Sequence, residues 1–169
     1  KTLLKIIEKD KKNFEIKLLT ANKNYKLVLK QAIKFNVKTI IINDLNNYLK
    51  AKNFNKQNSI KIYKDFNEIH KIFKQKIDYT MSSIVGLEGL LPTIKMIKFT
   101  KKIAIANKEA IICGWNLIKK EIIKHKTIFL PVDSEHFSIW EILNTKEISK
   151  IKKIYITASG GPFLNKKIN

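Results

Sequence analysis

An α/β fold with a largely parallel sheet flanked by helices is predicted from three features of the sequence. Short runs rich in β-branched and aromatic residues alternate with segments of helical spacing. Polar turns containing Asn, Ser or Gly follow several of these runs. The 169 residues suffice to bury the core of one ordinary domain. A strand–helix–strand alternation of this kind is typical of parallel sheets covered by helices.

The elements follow from local spacing, taken in chain order. Residues 25–35 place apolar side chains at helical intervals, and residues 66–73 place Phe66, Ile69, His70 and Phe73 on one stripe. The predicted helices are 2–7, 25–35, 66–73, 90–97 and 110–123, and the Asn- and Lys-rich segment 43–58 is predicted to be a helix with a loose loop. The predicted strands are 14–20, 39–43, 60–63, 79–85, 102–106, 127–131 and 153–158.

The charge, the apolar runs and the cysteine content of the chain limit the classes of protein to which it could belong. The net charge is +20 and all 34 basic residues are lysines. A basic chain first suggests nucleic-acid binding, but the missing arginines and the even spread of lysines favour a compositional bias at solvated positions. No apolar run approaches the roughly 20 residues that span a bilayer, and no signal peptide is recognisable. The single Cys113 excludes an internal disulfide and fits a reducing compartment.

Three loops at predicted strand ends are candidate ligand sites, because open α/β sheets bind ligands there. In ANKN (21–24), a lysine and amides without an acidic residue suit a 2′-phosphate, although Asn24 is alternatively a helix cap. In IVG (84–86), Gly86 permits close backbone approach. In ANKE (106–109), Lys108 could neutralise a substrate anion, and a capped strand–helix turn is the alternative.

Two further loops carry carboxylates or glycines. In PVDSEH (131–136), Asp133 and Glu135 are two positions apart, so on an extended backbone both point the same way and could hold a hard divalent cation. The alternative is a helix N-terminus with Ser134 as its cap. In SGGP (159–162), backbone N–H groups and the Ser159 hydroxyl suit a phosphate, and a simple tight turn is the alternative.

Taken in order, the segments SSIVGLEGLLPT (82–93), IAIANKEAIICG (103–114), LPVDSEH (130–136) and TASGGPF (157–163) resemble the 1-deoxy-D-xylulose 5-phosphate reductoisomerase family. The combination of ANKE and PVDSEH is highly specific, and the resemblance covers essentially the whole chain. It implies a Rossmann-like NADPH-binding domain over residues 1–131, running into the start of an α+β catalytic domain over residues 132–169.

The resemblance also implies site residues. Asp133 and Glu135 match two acidic ligands of a catalytic Mg²⁺, Mn²⁺ or Co²⁺ ion, and His136 matches a histidine near the metal. Lys108, Ser134, Glu135 and Ser159 match contacts to the sugar phosphate substrate, and Lys108, Asp133, Glu135 and His136 form the implied catalytic set. The implied NADPH contacts are Asn22, Lys23 and Asn24 at the 2′-phosphate, Ile84, Val85 and Gly86 beside the adenosine, and Asn107 and Glu109 on the nicotinamide side.

The chain also departs from the family pattern. The family usually has Gly at the position of Asn22, and its Gly-rich pyrophosphate loop should precede Lys1. The family's mobile flap, third metal carboxylate and C-terminal helical domain should follow Asn169. The sequence is therefore predicted to be a fragment that is inactive alone.

For the complete protein, the resemblance implies NADPH-dependent conversion of 1-deoxy-D-xylulose 5-phosphate to 2-C-methyl-D-erythritol 4-phosphate in isoprenoid precursor synthesis. It implies a homodimer that is cytoplasmic in bacteria and plastid-targeted in some eukaryotes, without a membrane partner. Two other hypotheses are a basic α/β nucleic-acid-binding module and a degenerate relative that serves only as a scaffold. The intact acidic pair and the intact ANKE segment favour the enzyme.

Overall fold

The computed structural model describes residues 2–55, 59–132, 134–145 and 147–156. Two compact units emerge from its internal contacts, and each is described by itself. The first unit comprises Lys1–Ile77 and Ile94–Phe99, and the second comprises Asp78–Thr93 and Thr100–Asn169. In the part of the chain that the structure describes, no helix has both the length and the apolar character needed to traverse a bilayer.

The first unit is built on a parallel sheet in the order β1-β2-β3. Its strands are β1 (Leu19–Ala21), β2 (Thr39–Ile42) and β3 (Lys61–Tyr63). Its helices are α1 (Thr2–Lys9), α2 (Tyr25–Lys34), α3 (Leu45–Phe54) and α4 (Ile69–Ile72), with 3-10 turns at Lys11–Asn13 and Phe66–Glu68.

The central strand of this sheet explains the core of the first unit. The consecutive isoleucines of β2 are all buried, as expected for a parallel strand covered on both faces. Helices α2 and α3 supply the apolar side chains that pack in the same cluster. Its buried members are Val28, Leu29, Ala32, Val37, Ile40, Ile42 and Ala51.

The second unit contains a sheet in the order β4-β5-β6. Its strands are β4 (Ile77–Ser82), β5 (Thr100–Ile105) and β6 (Ile128–Pro131). Strands β5 and β6 are parallel, and Ile105 pairs with Pro131 at their carboxyl ends. The helices are α5 (Leu90–Ile97), whose second half belongs to the first unit, α6 (Lys108–His125) and α7 (Ser134–Thr145), with 3-10 turns at Leu87–Gly89 and Ile148–Lys150.

Packing of α6 in the second unit depends on small residues. Ala110, Gly114 and Ile118 form its buried stripe, at helical spacing. A Cβ atom at Gly114 would overlap the side chain of Leu90, so the glycine lets α5 and α6 approach closely. Buried Ile103, Ala104 and Ile105 of β5 complete this core.

The predicted α/β class with parallel sheets is confirmed, while several boundaries differ. Strand β1 spans Leu19–Ala21, so only the last two residues of the predicted run 14–20 are in a strand, where Leu19 pairs with Ile40 of β2. Residues 153–156 of the predicted strand 153–158 form no strand in the described segment 147–156. Its last two residues lie outside the described residues. The boundary predicted at residue 131 stays a prediction.

Candidate functional site

The carboxyl edge of the β5–β6 sheet gathers several of the predicted site residues. Because β5 and β6 are parallel and Ile105 pairs with Pro131, the segments after both strands leave the sheet at one edge. The segment after β5 carries Asn107, Lys108 and Glu109, and the segment after β6 begins with Val132. This edge is where open α/β sheets bind ligands.

A first pocket of about 290 Å³ lies at this edge. It brings together candidates from two separate loops, one after β4 and one after β5. The lining residues are Ser83, Ile84, Val85, Ala106, Asn107, Lys108 and Glu109. The sequence-based prediction named five of these residues as ligand contacts. It did not name Ser83, although its place directly after β4 was a usable signal.

Asn107 holds the two loops of the first pocket together. Its side chain is almost fully buried, with 3% exposure. The Nδ2 group donates to the backbone oxygens of Ile84 and Gly86 over 2.5 and 2.6 Å, and Oδ1 accepts from Ala110 N over 2.9 Å. The last bond caps α6, which explains why this helix begins at Lys108 and not near Ala110 as predicted.

Two buried hydroxyl groups, of Ser82 and Thr93, form hydrogen bonds at the ends of the loop after β4. Ser82 and Thr93 share a hydrogen bond of 2.5 Å between their hydroxyls, and Thr93 Oγ1 donates to Gly89 O over 2.7 Å. Gly86 has φ +75° and ψ −175°, a backbone region that only glycine adopts readily. The loop after β4 is therefore held in one conformation by polar contacts.

A second pocket of about 240 Å³ is lined by Ile105, Ala106, Lys108 and Val132. Lys108 thus lines both pockets, and its side chain is exposed. Val132 directly precedes Asp133, which lies outside the described residues. The residue that precedes the predicted acidic pair therefore lines the same pocket as Lys108.

The residues after Asp133 are helical. Ser134, Glu135 and His136 form the exposed first turn of α7, and Ser134 Oγ donates to Glu135 Oε2 over 2.9 Å. The expectation of an extended backbone at Glu135 is wrong, because α7 begins at Ser134 and places Glu135 in the first turn of the helix. The helix alternative is correct for the backbone, with Ser134 as its first residue and not its cap. A carboxylate is favoured there by the helix dipole.

Metal binding by this segment stays a prediction. Among the described residues, which leave out Asp133, no group of three or more His, Cys, Asp or Glu side chains could hold a metal ion. Glu135 supplies a hard carboxylate donor at an exposed position, and a second acid precedes it in sequence. This donor chemistry fits Mg²⁺, which typically takes one or two carboxylates. Ser159 also lies outside the described residues.

In the first unit, the candidates Asn22, Lys23 and Asn24 follow β1. Asn24 Oδ1 accepts from Leu27 N over 3.1 Å and caps α2, while Asn22 O accepts from Asp44 N over 3.3 Å. Both Asn22 and Lys23 are exposed. The alternative role of Asn24 as a cap is confirmed, and its contact to a cofactor stays a prediction.

Asp44 is an acidic neighbour of this loop that the sequence-based reasoning missed. It caps α3, and the Asn47 backbone N–H and side-chain amide, with a smaller contribution from Lys23, hold the pKa of its carboxyl below the usual range. Its signal was an Asp between an apolar strand and an apolar helix start. Because its carboxylate accepts a hydrogen bond from Asn47 N over 2.8 Å, Asp44 acts as the N-cap of α3.

Comparison with known proteins places these loops in a family. Residues 1–114 match the family model described as 1-deoxy-D-xylulose 5-phosphate reductoisomerase, and residues 129–169 match the model of its C-terminal domain. The Pelagibacter ubique reductoisomerase is 57% identical over 166 residues, which cover 97% of this chain and 43% of the relative.

Solved structures give the same result. The Zymomonas mobilis enzyme in complex with NADPH superposes with a TM-score of 0.84 at 32% identity, over 96% of this chain and 43% of that chain. A reductoisomerase in complex with NADPH, fosmidomycin and magnesium gives 0.82 at 30% identity, over 98% and 43%. The chain spans less than half the length of these relatives. With family models matching most of its residues, the chain belongs to the 1-deoxy-D-xylulose 5-phosphate reductoisomerase family.

Proposed function

We propose that this chain supplies the nucleotide-binding part and the first catalytic residues of an NADPH-dependent reductoisomerase. The reaction converts 1-deoxy-D-xylulose 5-phosphate to 2-C-methyl-D-erythritol 4-phosphate, for isoprenoid precursor synthesis. The observation that carries this proposal is the position of Lys108, which lines two adjoining pockets at the carboxyl edge of the β5–β6 sheet. Family membership favours this enzyme over a nucleic-acid-binding module.

The first pocket would receive the cofactor. Ile84, Val85 and Gly86 would lie against its adenosine, and Glu109 and Asn107 would lie on the nicotinamide side. Asn22, Lys23 and Asn24 would contact the 2′-phosphate, where the exposed ammonium of Lys23 complements a dianion. Support comes from the relatives of this chain that are described in complex with NADPH.

The second pocket would receive the sugar phosphate. Lys108 would neutralise part of its negative charge, and Ser134 and Ser159 would donate hydrogen bonds to its oxygens. Asp133 and Glu135 would hold a Mg²⁺, Mn²⁺ or Co²⁺ ion, with His136 nearby. When bound, the ion supplies Lewis-acid polarisation of substrate oxygens and NADPH supplies the hydride. Relatives are described in complex with magnesium.

The proposal also covers the domain organisation, the assembly, the location and the electrostatics of the protein. Residues 1–131 would bind the nucleotide, and residues 132–169 would begin the catalytic domain. The protein would act as a homodimer in the bacterial cytoplasm, in keeping with its bacterial relatives. The many lysines would attract both anionic ligands, so that their association slows as salt is added.

The test uses the full-length protein that carries this chain. With Mg²⁺ present, we expect oxidation of NADPH that requires 1-deoxy-D-xylulose 5-phosphate. Removing the metal with a chelator should stop the reaction, and added Mg²⁺ or Mn²⁺ should restore it. Absence of substrate-dependent oxidation would contradict the proposal. Tight nucleic-acid binding that survives Glu135→Ala would then favour the nucleic-acid-binding module.

A further inference from the structure

Both donor hydrogens of the Asn107 side chain are directed into the protein. Both Nδ2 hydrogens have a backbone acceptor, at Ile84 O (2.5 Å) and Gly86 O (2.6 Å), and Oδ1 accepts from Ala110 N. An asparagine amide carries two donor hydrogens, so none is left for a ligand. With 3% of the residue exposed, the side chain offers little contact area to a cofactor.

Apolar burial does not hold the centre of the loop that Asn107 contacts. Val85, at its centre, is 84% exposed, so burial of this side chain cannot hold the loop in place. The two carbonyls that flank Val85 are the ones bound by Asn107. Gly86 between Val85 and the turn at Leu87–Gly89 adopts a positive φ that gives its carbonyl this direction.

Gly89 packs closely against Asn107 and the backbone of Ile84. A Cβ atom at Gly89 would overlap both Asn107 Nδ2 and Ile84 O. Because the backbone of the turn packs directly on this hydrogen bond, Asn107 and residues 84–89 form one fixed structure. We call it the Asn107 clamp, meaning Asn107 with the carbonyls of Ile84 and Gly86.

We propose that Asn107 is a positioning residue that acts on NADPH through the Ile84–Gly86 loop, and so controls affinity for the adenosine half of the cofactor. The inference rests on the proposed function, since it assigns this loop to the adenosine. It differs from a direct contact of the Asn107 side chain with the nicotinamide side. The two roles predict losses of affinity on opposite halves of the cofactor.

The experiment uses the full-length protein with Asn107→Ser and Asn107→Asp. Both variants keep a side-chain oxygen that can cap α6, and both remove the two amide N–H donors to the loop; aspartate has no donor at all. Probes for the two halves are adenosine 2′,5′-bisphosphate and reduced nicotinamide mononucleotide. We expect the Kd of the adenosine probe to rise about tenfold, and that of the nicotinamide probe to change less than about twofold.

Glu109→Gln provides the matched control. Glu109 lines the same pocket, is exposed, and is proposed to lie on the nicotinamide side. This variant should weaken binding of the nicotinamide probe and leave the adenosine probe unchanged. Amide hydrogen exchange gives a readout that does not depend on any ligand. Exchange at residues 85–89 should speed up in both Asn107 variants and stay at the wild-type rate in Glu109→Gln.

The outcomes separate the inference from the function on which it rests. Loss confined to the nicotinamide probe, with exchange at residues 85–89 unchanged, would overturn the positioning role. If the wild-type protein binds neither probe, the proposed function fails, and the exchange data still decide whether the clamp exists. Agreement between Asn107→Ser and Asn107→Asp excludes an effect of the new carboxylate.

Discussion

Ile105 and Pro131 are register partners at the carboxyl ends of the adjacent parallel strands β5 and β6. Chain segments that leave such a pair start about 4.8 Å apart, the spacing of neighbouring strands. The lysine that follows β5 and the valine that follows β6 consequently line one pocket. A short apolar strand pair thus sets the distance between the loop after β5 and the segment that leads from β6 to Glu135.

Lys108→Gln tests this arrangement. The change removes a charge at the proposed substrate pocket and keeps a polar side chain that is one atom shorter. A charge-assisted hydrogen bond contributes about 1.5–3 kcal/mol, so kcat/KM for the sugar phosphate should fall by one to two orders of magnitude, roughly. Lys120→Gln, an equal charge change at an exposed position of the same helix, should have little effect. Equal losses in both variants would indicate a general charge effect.

Lys23→Gln tests the assignment of the 2′-phosphate. Lys23 is exposed after β1, and the nearby Asp44 carboxylate is bonded to Asn47. We expect the preference for NADPH over NADH to fall about tenfold, because the interaction is partly screened by solvent. The measurement is kcat/KM with each cofactor. Lys26→Gln, an exposed lysine in the first turn of α2, is the control and should retain the preference.

Gly89→Ala tests the packing of the loop after β4. The new methyl group would overlap Asn107 Nδ2 and the carbonyl of Ile84, and backbone atoms cannot move away without shifting the loop. Overpacking of this kind typically costs about 1–3 kcal/mol of unfolding free energy. Urea denaturation measures the change, with Glu88→Ala as an exposed control in the same turn. Wild-type stability in Gly89→Ala would show that the loop yields easily.

Asp44→Asn tests a pH dependence. Hydrogen bonds from Asn47 lower the pKa of the Asp44 carboxyl in the folded state. A lowered pKa stabilises the fold above the unfolded-state pKa of about 3.9, and this contribution is lost as pH falls through the folded-state value. The variant should therefore lose less stability than the wild type between neutral pH and the acid range. Urea denaturation at several pH values measures it, and parallel curves would contradict the assignment.

The sequence predicted the fold best where burial leaves a simple pattern. The run of isoleucines in β2 and the stripe of Ala110, Gly114 and Ile118 in α6 are recognisable because burial depends on residue type and spacing. The extent of β1 was not predictable from its own residues. Leu19 is in a strand because Ile40 lies beside it, and Phe14 has no partner of this kind among the described residues.

The candidate site was predicted as a set of loops, but not as a geometry. Lys108 was found from its position after a strand and Glu109 from the family resemblance, and they line the same pocket as Ile84. The sequence left the backbone of Glu135 open between a strand end and a helix start, because both share the same polar residue types, and the structure shows the helix. The two hydrogen bonds donated by Asn107 could not be predicted either, since their acceptors are backbone atoms more than twenty residues earlier in the chain.

The shared position of Lys108 has a thermodynamic consequence. An anion held in one pocket offsets the positive potential that the same ammonium projects into the other. Linkage requires such an effect to be reciprocal, so each ligand alters the affinity for its companion by an identical factor. Titrating either pocket while the other is filled would measure this antagonism as one coupling constant.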